Sequence, residues 1–264
     1  MKRVLSSLAA VLLAICLAMP VYGESIDFTG YSDEDLLDLL KQTQNELRRR
    51  FDERLASPVT DFLYTSDGRE VRINAYTGSG QRVVIPSEID GAPVTRIYDA
   101  AFQGASLLSV EMPDTITDIG RNAFSHNWEI GAGAVLALPS GLRRVGVQAF
   151  AWSCYEGIII GSDALIESDA FQDMSKAKFL YIRDGAAPMF DRWSVRGCAD
   201  LEIAIIPPAV TYIDDAAFEG SKKLKIITTP GSAAAAWATR NFFPVDTENY
   251  EAYVAEFETL YPRQ

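Results

Sequence analysis

The dipeptide Ala-Phe recurs at Ala101-Phe102, Ala123-Phe124, Ala149-Phe150, Ala170-Phe171 and Ala217-Phe218, with gaps between the phenylalanines of 22, 26, 21 and 47 residues. A repeat of this period is one supersecondary unit that cannot bury its apolar face alone, so neighbouring units must stack. The last gap is about twice the others, which places a degenerate unit in between, with Val195 at its Phe position. A second ladder holds the register: five residues upstream stand Ile97, Ile119, Val145, Ile166, Phe190 and Ile213, all apolar. Downstream each unit rises to a short apolar segment that usually ends in proline, such as Val110-Glu111-Met112-Pro113, Leu136-Ala137-Leu138-Pro139 and Ala204-Ile205-Ile206-Pro207. Alternation with period two in these segments predicts strands with one face buried.

The stretch Val83 to Pro113, VVIPSEIDGAPVTRIYDAAFQGASLLSVEMP, resembles the BspA-like leucine-rich repeat, whose unit runs Val-Thr-x-Ile, Gly-Asp-x-Ala-Phe, Gly-Cys-x-x-Leu and a strand ending Ile-Pro. Phe62-Leu63-Tyr64 and Arg72 to Gly78 look like the strand pair that precedes the first repeat in such proteins, and Thr229-Pro230-Gly231-Ser232 with the Ala-rich stretch after it is similar to the closing segment. The resemblance implies an α/β repeat fold, a leucine-rich-repeat solenoid of about six coils of 21–26 residues with short parallel strands, capped by an N-terminal helix and a C-terminal helical segment. Repeat two departs from the pattern with a three-residue bulge around Gly131-Ala132-Gly133.

The flanks complete the organisation. Residues 1–23 carry Lys2 and Arg3, an apolar run from Val4 to Met19, and then Pro20 to Gly23, the pattern of a secretory signal peptide cut after about Gly23. A membrane-spanning helix is the alternative, but the run is near the lower limit for crossing a bilayer. Lipidation at Cys16 is a variant that the preceding Ile15 disfavours. Residues 24–56 read as an amphipathic helix: Ser32 can cap it, and Leu36, Leu40, Leu47 and Phe51 share one face. A strand pair follows at 57–82, the repeats occupy 83–230, and 231–264 form the C-terminal cap, where Tyr250, Tyr253, Val254, Phe257, Leu260 and Tyr261 fall at helical spacing. The mature chain is expected to be secreted or held at an extracellular surface.

Chemistry is sparse. The formal charge is −12 and becomes −14 without Lys2 and Arg3, which argues against nucleic acid and anionic membrane as partners. His126 is the only histidine, so a multi-histidine metal site is impossible, and no metal or cofactor is expected. His126 and Cys154 lie in adjacent repeats, yet both fall in turn positions just after the Phe ladder. Asp214-Asp215 and Asp163 with Asp169 are the carboxylate pairs, and a solvated turn explains the first better than a facing acid/base pair. Cys198 matches the Gly-Cys-x-x-Leu position, and Cys154 lies nearly there two coils earlier. Coils about 4.8 Å apart would separate the two by roughly 9–10 Å, beyond the ~7 Å reach of a disulfide, so two free buried thiols are expected.

What remains is the outward face of the long strands. The row Glu111, Ala137, Ile159, Tyr181, Ile205 and Thr228 and the row Ser109, Val135, Gly157, Phe179, Ile203 and Ile226 are expected to point away from the core. They place Ile159, Phe179, Tyr181, Ile203 and Ile205 in one apolar and aromatic patch. Such a patch marks a contact surface, unless the N-terminal helix covers it. The expectation is a secreted, non-enzymatic binding module that offers this sheet face to a protein or glycan on an extracellular surface, with no membrane insertion after signal removal. The alternative is a self-assembling structural protein that associates through the patch and the N-terminal helix.

Overall fold

The computed structural model describes residues 56–262; the expected signal segment and the expected N-terminal helix up to Leu55 lie outside the described residues. The first described elements are a hairpin, β1 (Phe62–Ser66) and β2 (Val71–Tyr76), followed by β3 (Arg82–Val84), β4 (Glu88–Ile89) and β5 (Ala92–Ile97). From there the coils contribute a two-residue strand on the Ile ladder, reduced to a single bridge from Phe190 at Ile213 in the last coil, and a longer one in the Pro-terminated segment. The short strands are β7 (Asp118–Ile119), β9 (Arg144–Val145), β11 (Leu165–Ile166) and β13 (Met189–Phe190). The longer ones are β6 (Ser109–Glu111), β8 (Val135–Ala137), β10 (Gly157–Ile160), β12 (Phe179–Ile182), β14 (Ile203–Ile205) and β15 (Lys225–Ile227), closed by β16 (Val245–Asp246).

From β5 onward like strands pair with like, coil to coil and in parallel, which builds two main sheets along the stack. The first is ordered β1-β2-β5-β7-β9-β11-β13, with β4 alongside β5, and the second β8-β10-β12-β14-β15-β16; β3 and β6 form a separate pair. The turns join the ladder too. The N–H groups of Phe102, Phe124 and Phe150 donate to the carbonyls of Ala123, Ala149 and Ala170 in the next coil at 2.7–2.8 Å.

Between the sheets lies the core. Every residue of the Phe ladder is at most 1% exposed, and the Ile ladder runs from 0 to 8%. Tyr76, Phe102, Phe124, Phe150 and Phe171 form one column of stacked rings with centroids 4.8–5.8 Å apart. Each such ring pair contributes about 0.5–1.5 kcal/mol beyond the burial of its area. The column breaks at Val195, where Phe190 on the other ladder takes over and meets Phe218 at 5.8 Å, and Trp237 closes the end at 5.5 Å from Phe218.

Trp237 belongs to α1 (Ala233–Arg240), whose Ser232 N-cap accepts from the Ala235 N–H at 3.1 Å. Its indole N–H reaches the Asp214 carbonyl at 3.1 Å, so α1 covers the terminal face of the stack. The second helix, α2 (Tyr250–Leu260), does something the helical spacing of its apolar residues did not foretell. It packs on the outer face of the second sheet, not on the end of the core.

Candidate binding surface

The outward rows of the second sheet meet α2. Ile159, Tyr181, Ile205 and Ile227 form a second apolar cluster with Tyr250 and Phe257, one helical face spaced by seven residues, and Phe179, Ile203, Tyr253, Val254 and Tyr261 pack at its margin. Ile159 is 3% exposed and Tyr181 and Ile205 are fully buried, while Phe179 and Ile203 are half-buried. Phe179 stands 5.1 Å from Phe257 and 5.3 Å from Tyr261. It lies flat because Gly157 opposite has no side chain: a Cβ there would collide with the ring. The five residues expected to form an open contact patch therefore face outward from the core but are roofed, and the roof is α2.

The roof is pinned by polar contacts. The Tyr181 hydroxyl donates to Glu258 at 2.7 Å, and Arg183 donates to the other Glu258 oxygen at 2.9 Å and to the Tyr261 carbonyl at 2.9 Å. Burial, reinforced by the Glu258 carboxylate, pushes the Tyr181 phenol above its ordinary range. Where the chain turns into α2, Asp246 accepts from Lys225 at 2.8 Å and from the Asn249 side chain at 3.1 Å, which hold its carboxyl well below the usual range.

In the last coil the outward positions are Lys225 and Ile227, opposite Ile203 and Ile205, not Ile226 and Thr228 as expected. Ile226 is core, and Thr228 is buried against Ser232. Ile226 and Ile227 are both apolar, so alternation could not choose between them.

The titratable candidates are placed in structural roles. Asp214 accepts the Ala216 N–H, whereas Asp215 accepts from Arg240 and Asn241, so the two carboxylates serve different partners. Asp163 accepts the Ala187 N–H at 2.8 Å, and Asp169 pairs with Arg196 at 2.9 Å, its carboxyl held above the ordinary range chiefly by burial. Among the described residues no three His, Cys, Asp or Glu side chains gather as a metal site would require.

Both cysteines are free, but only Cys198 is buried; Cys154 is half-buried, because it sits one place further along its coil than Cys198 does. The position that Cys198 occupies, three after the Phe ladder, carries a row of donors. The side chains of Asn127, Ser153, Cys198 and Ser221 donate to the carbonyls of Phe102, Phe124, Phe171 and Val195 in the preceding coil, at 3.0, 2.9, 3.1 and 3.3 Å. Cys198 thus satisfies a buried carbonyl as well as filling space.

One place earlier lies the feature that the sequence reading passed over as turn filler. Gly104, Gly197 and Gly220 hold this position with φ of 61°, 73° and 86°, the left-handed region that glycine enters freely. His126, Trp152 and Asp173 hold it in the intervening coils with φ of 61°, 58° and 51°. Their N–H groups make the same coil-to-coil bonds: His126 to Ala151 at 3.0 Å, Trp152 to Gln172 at 2.9 Å and Asp173 to Arg196 at 2.9 Å. The His126 ring lies 4.6 Å from Trp152 and 5.7 Å, edge to face, from Trp128, which is 56% exposed. His126 meets Ser125 through a hydrogen bond and these two indoles through its ring. The signal that could have found this group is two bulky aromatic residues in adjacent coils where the register calls for glycine.

The BspA type leucine-rich repeat region matches residues 75–187 and 189–236 in six copies, more than half of the chain. A leucine-rich repeat protein of T. pallidum is similar in structure, with a TM-score of 0.59 and 26% identity over 72% of this chain and 98% of that one. A leucine-rich repeat protein of Bacteroides ovatus matches with a TM-score of 0.43 and 18% identity over 65% and 55% of the two chains. A leucine-rich cell surface protein of Faecalibacterium prausnitzii matches with a TM-score of 0.27 and 15% identity over 73% and 98%. No curated protein matches the chain.

Proposed function

Because the chain belongs to the BspA type leucine-rich repeat family, we propose that it is a secreted, non-enzymatic binding module that engages a protein or glycan at an extracellular surface. The observation that carries this reading is a rigid stack of coils whose polar groups are spent on holding the stack, while large aromatic side chains remain exposed on its flanks. Tyr98 and Trp128 are each 56% exposed and Tyr212 is 50% exposed, on three different coils. Exposed aromatic side chains on a rigid frame lose little conformational entropy on contact, which favours recognition. The roofed sheet patch of Ile159, Phe179, Tyr181, Ile203 and Ile205 serves this function from beneath α2, as the support of the frame and not as its contact face. A net charge of −12 supports a neutral or basic partner over a polyanion. The test is saturable binding of the labelled 24–264 chain to intact bacterial and animal cells and to matrix-coated plates. Binding competed by excess unlabelled chain is expected; uniformly unsaturable binding on all of these surfaces would sink the reading.

A further inference from the structure

We propose that Trp128, His126 and Trp152 form a binding platform for a neutral glycan, a proposal that rests on the binding-module reading and gives it a site and a ligand class. Three observations meet at this group. The first is conformational. His126 and Trp152 occupy left-handed backbone positions that three other coils fill with glycine. Such a conformation costs a side-chain-bearing residue about 1–2 kcal/mol, which glycine avoids. Three successive coils carry that cost at this register position, at His126, Trp152 and Asp173, and Ala100, Asn122, Gln148, Asp169 and Trp193 carry it elsewhere in the same turns, so what sets His126 and Trp152 apart is that they place aromatic rings there.

The second is hydrogen-bonding capacity that the fold does not use. The four tryptophans divide in two. Trp237 donates its indole N–H to the Asp214 carbonyl at 3.1 Å and Trp193 donates to Glu219 at 2.8 Å, so both are tied into the fold. Trp128 and Trp152 donate to no group among the described residues, so their N–H groups are not used in holding the fold. The third is the character of the neighbours. Gln103 donates to Ser125 at 3.2 Å, Ser125 meets the His126 ring at 3.2 Å, and Gln148 donates to Gln172 at 3.3 Å along the same edge. These amides and hydroxyls stand beside carboxylates: Asp173 accepts from Gln172 at 3.0 Å, and Glu129, next to Trp128 in the chain, accepts from Gln81 at 3.1 Å.

Ring faces with N–H donors that the fold does not use, bordered by amides and carboxylates on an acidic protein, fit a ligand that has apolar C–H faces and hydroxyl rims and carries no negative charge. A pyranose chain has that chemistry: its axial C–H bonds lie on an indole face while its hydroxyls accept from the N–H groups and exchange bonds with the amides. The separation of one coil between His126 and Trp152 lets a chain of sugars run along the stack and touch successive rings.

The experiment is a titration of the 24–264 chain with cellohexaose, chitohexaose and mannohexaose, followed by intrinsic tryptophan emission and by calorimetry, with decaproline as a peptide probe for the same rings. Saturable binding of at least one hexasaccharide is expected, weakened by about tenfold or more in Trp128→Ala and in Trp152→Gly. Both variants should fold, since Trp128 is exposed and glycine suits the backbone of Trp152; thermal melts of the two confirm it. Sugar binding that survives both substitutions overturns the site while leaving the binding-module reading in place. No binding of any hexasaccharide, or tryptophan-dependent binding of decaproline alone, overturns the glycan assignment, and the cell-surface assay then decides the wider reading separately.

Discussion

At the scale of single residues the repeat register assigns chemistry more finely than composition does. Cys154 and Cys198 are both free, yet a one-residue offset gives them different surroundings. Cys198 is fully buried and donates to the Phe171 carbonyl at 3.1 Å, and burial pushes its thiol up to about 12. The thiolate is the reactive form, so Cys198 is inert in the folded state at neutral pH. Cys154 is half-buried and reachable. In a native 24–264 chain treated with a thiol-specific dye at pH 8, one equivalent should react, with the second appearing only on denaturation; peptide mapping should place the first on Cys154. Equal rates for both would contradict the burial. The glycine register was equally legible, since Gly104, Gly197 and Gly220 mark it in the sequence. Its meaning at His126 and Trp152 was not, because an aromatic residue two places after a ladder Phe looks like any turn residue until its backbone angle is known.

At the scale of elements the strands were legible and their roof was not. Period-two alternation gave the two faces of the long strands up to β14, though not of β15, where Ile226 and Ile227 are both apolar, and the parallel pairing of Ile159 with Tyr181 and of Tyr181 with Ile205 follows from the ladder alone. What covers the outward face depends on where a helix lands after a connection of a few residues, and helical spacing in the sequence states only that α2 has an apolar face. Two sequence features do bear on it. Gly157 makes room for the Phe179 ring, and β10 and β12 are apolar at nearly every position, as strands buried on both faces are. Phe257, 7% exposed, is the central contact of the roof. Phe257→Ala should cost about 3–5 kcal/mol in the stability of the α2 packing. A local loss of this kind uncovers the sheet, so the variant should bind a hydrophobic dye strongly below its main unfolding transition, and the N–H groups of α2 should exchange much faster than those of β10 and β12. A roof that mattered little would leave dye binding unchanged.

At the scale of the whole molecule each coil is stabilised by its two neighbours, so a defect in one coil must be compensated within reach of the adjacent ones. The degenerate fifth coil is a case where the compensation can be seen. It carries Val195 where the other coils have Phe, and Phe190 where they have Ile or Val, which exchanges a large and a small side chain between the two ladders. Both residues are fully buried, and the Phe190 ring meets Phe218 at 5.8 Å beyond the point where the stacked column ends at Phe171. If the two substitutions are one exchange of volume, reversing either alone should be harmful and reversing both much less so. Phe190→Ile opens a cavity and loses the ring contact, for a cost of about 2–3 kcal/mol. Val195→Phe overfills a packed core, for about 1–3 kcal/mol. The double variant restores the pattern of the other coils and joins Phe171 to Phe218 through a ring at position 195, so its loss should fall short of the sum of the single losses by about 1 kcal/mol or more, the range found for residues that share a packing site. Urea unfolding of the four proteins of the cycle measures that coupling. Simple additivity would mean that the fifth coil tolerates its departures independently, and that Phe190 does not compensate for the small residue at Val195.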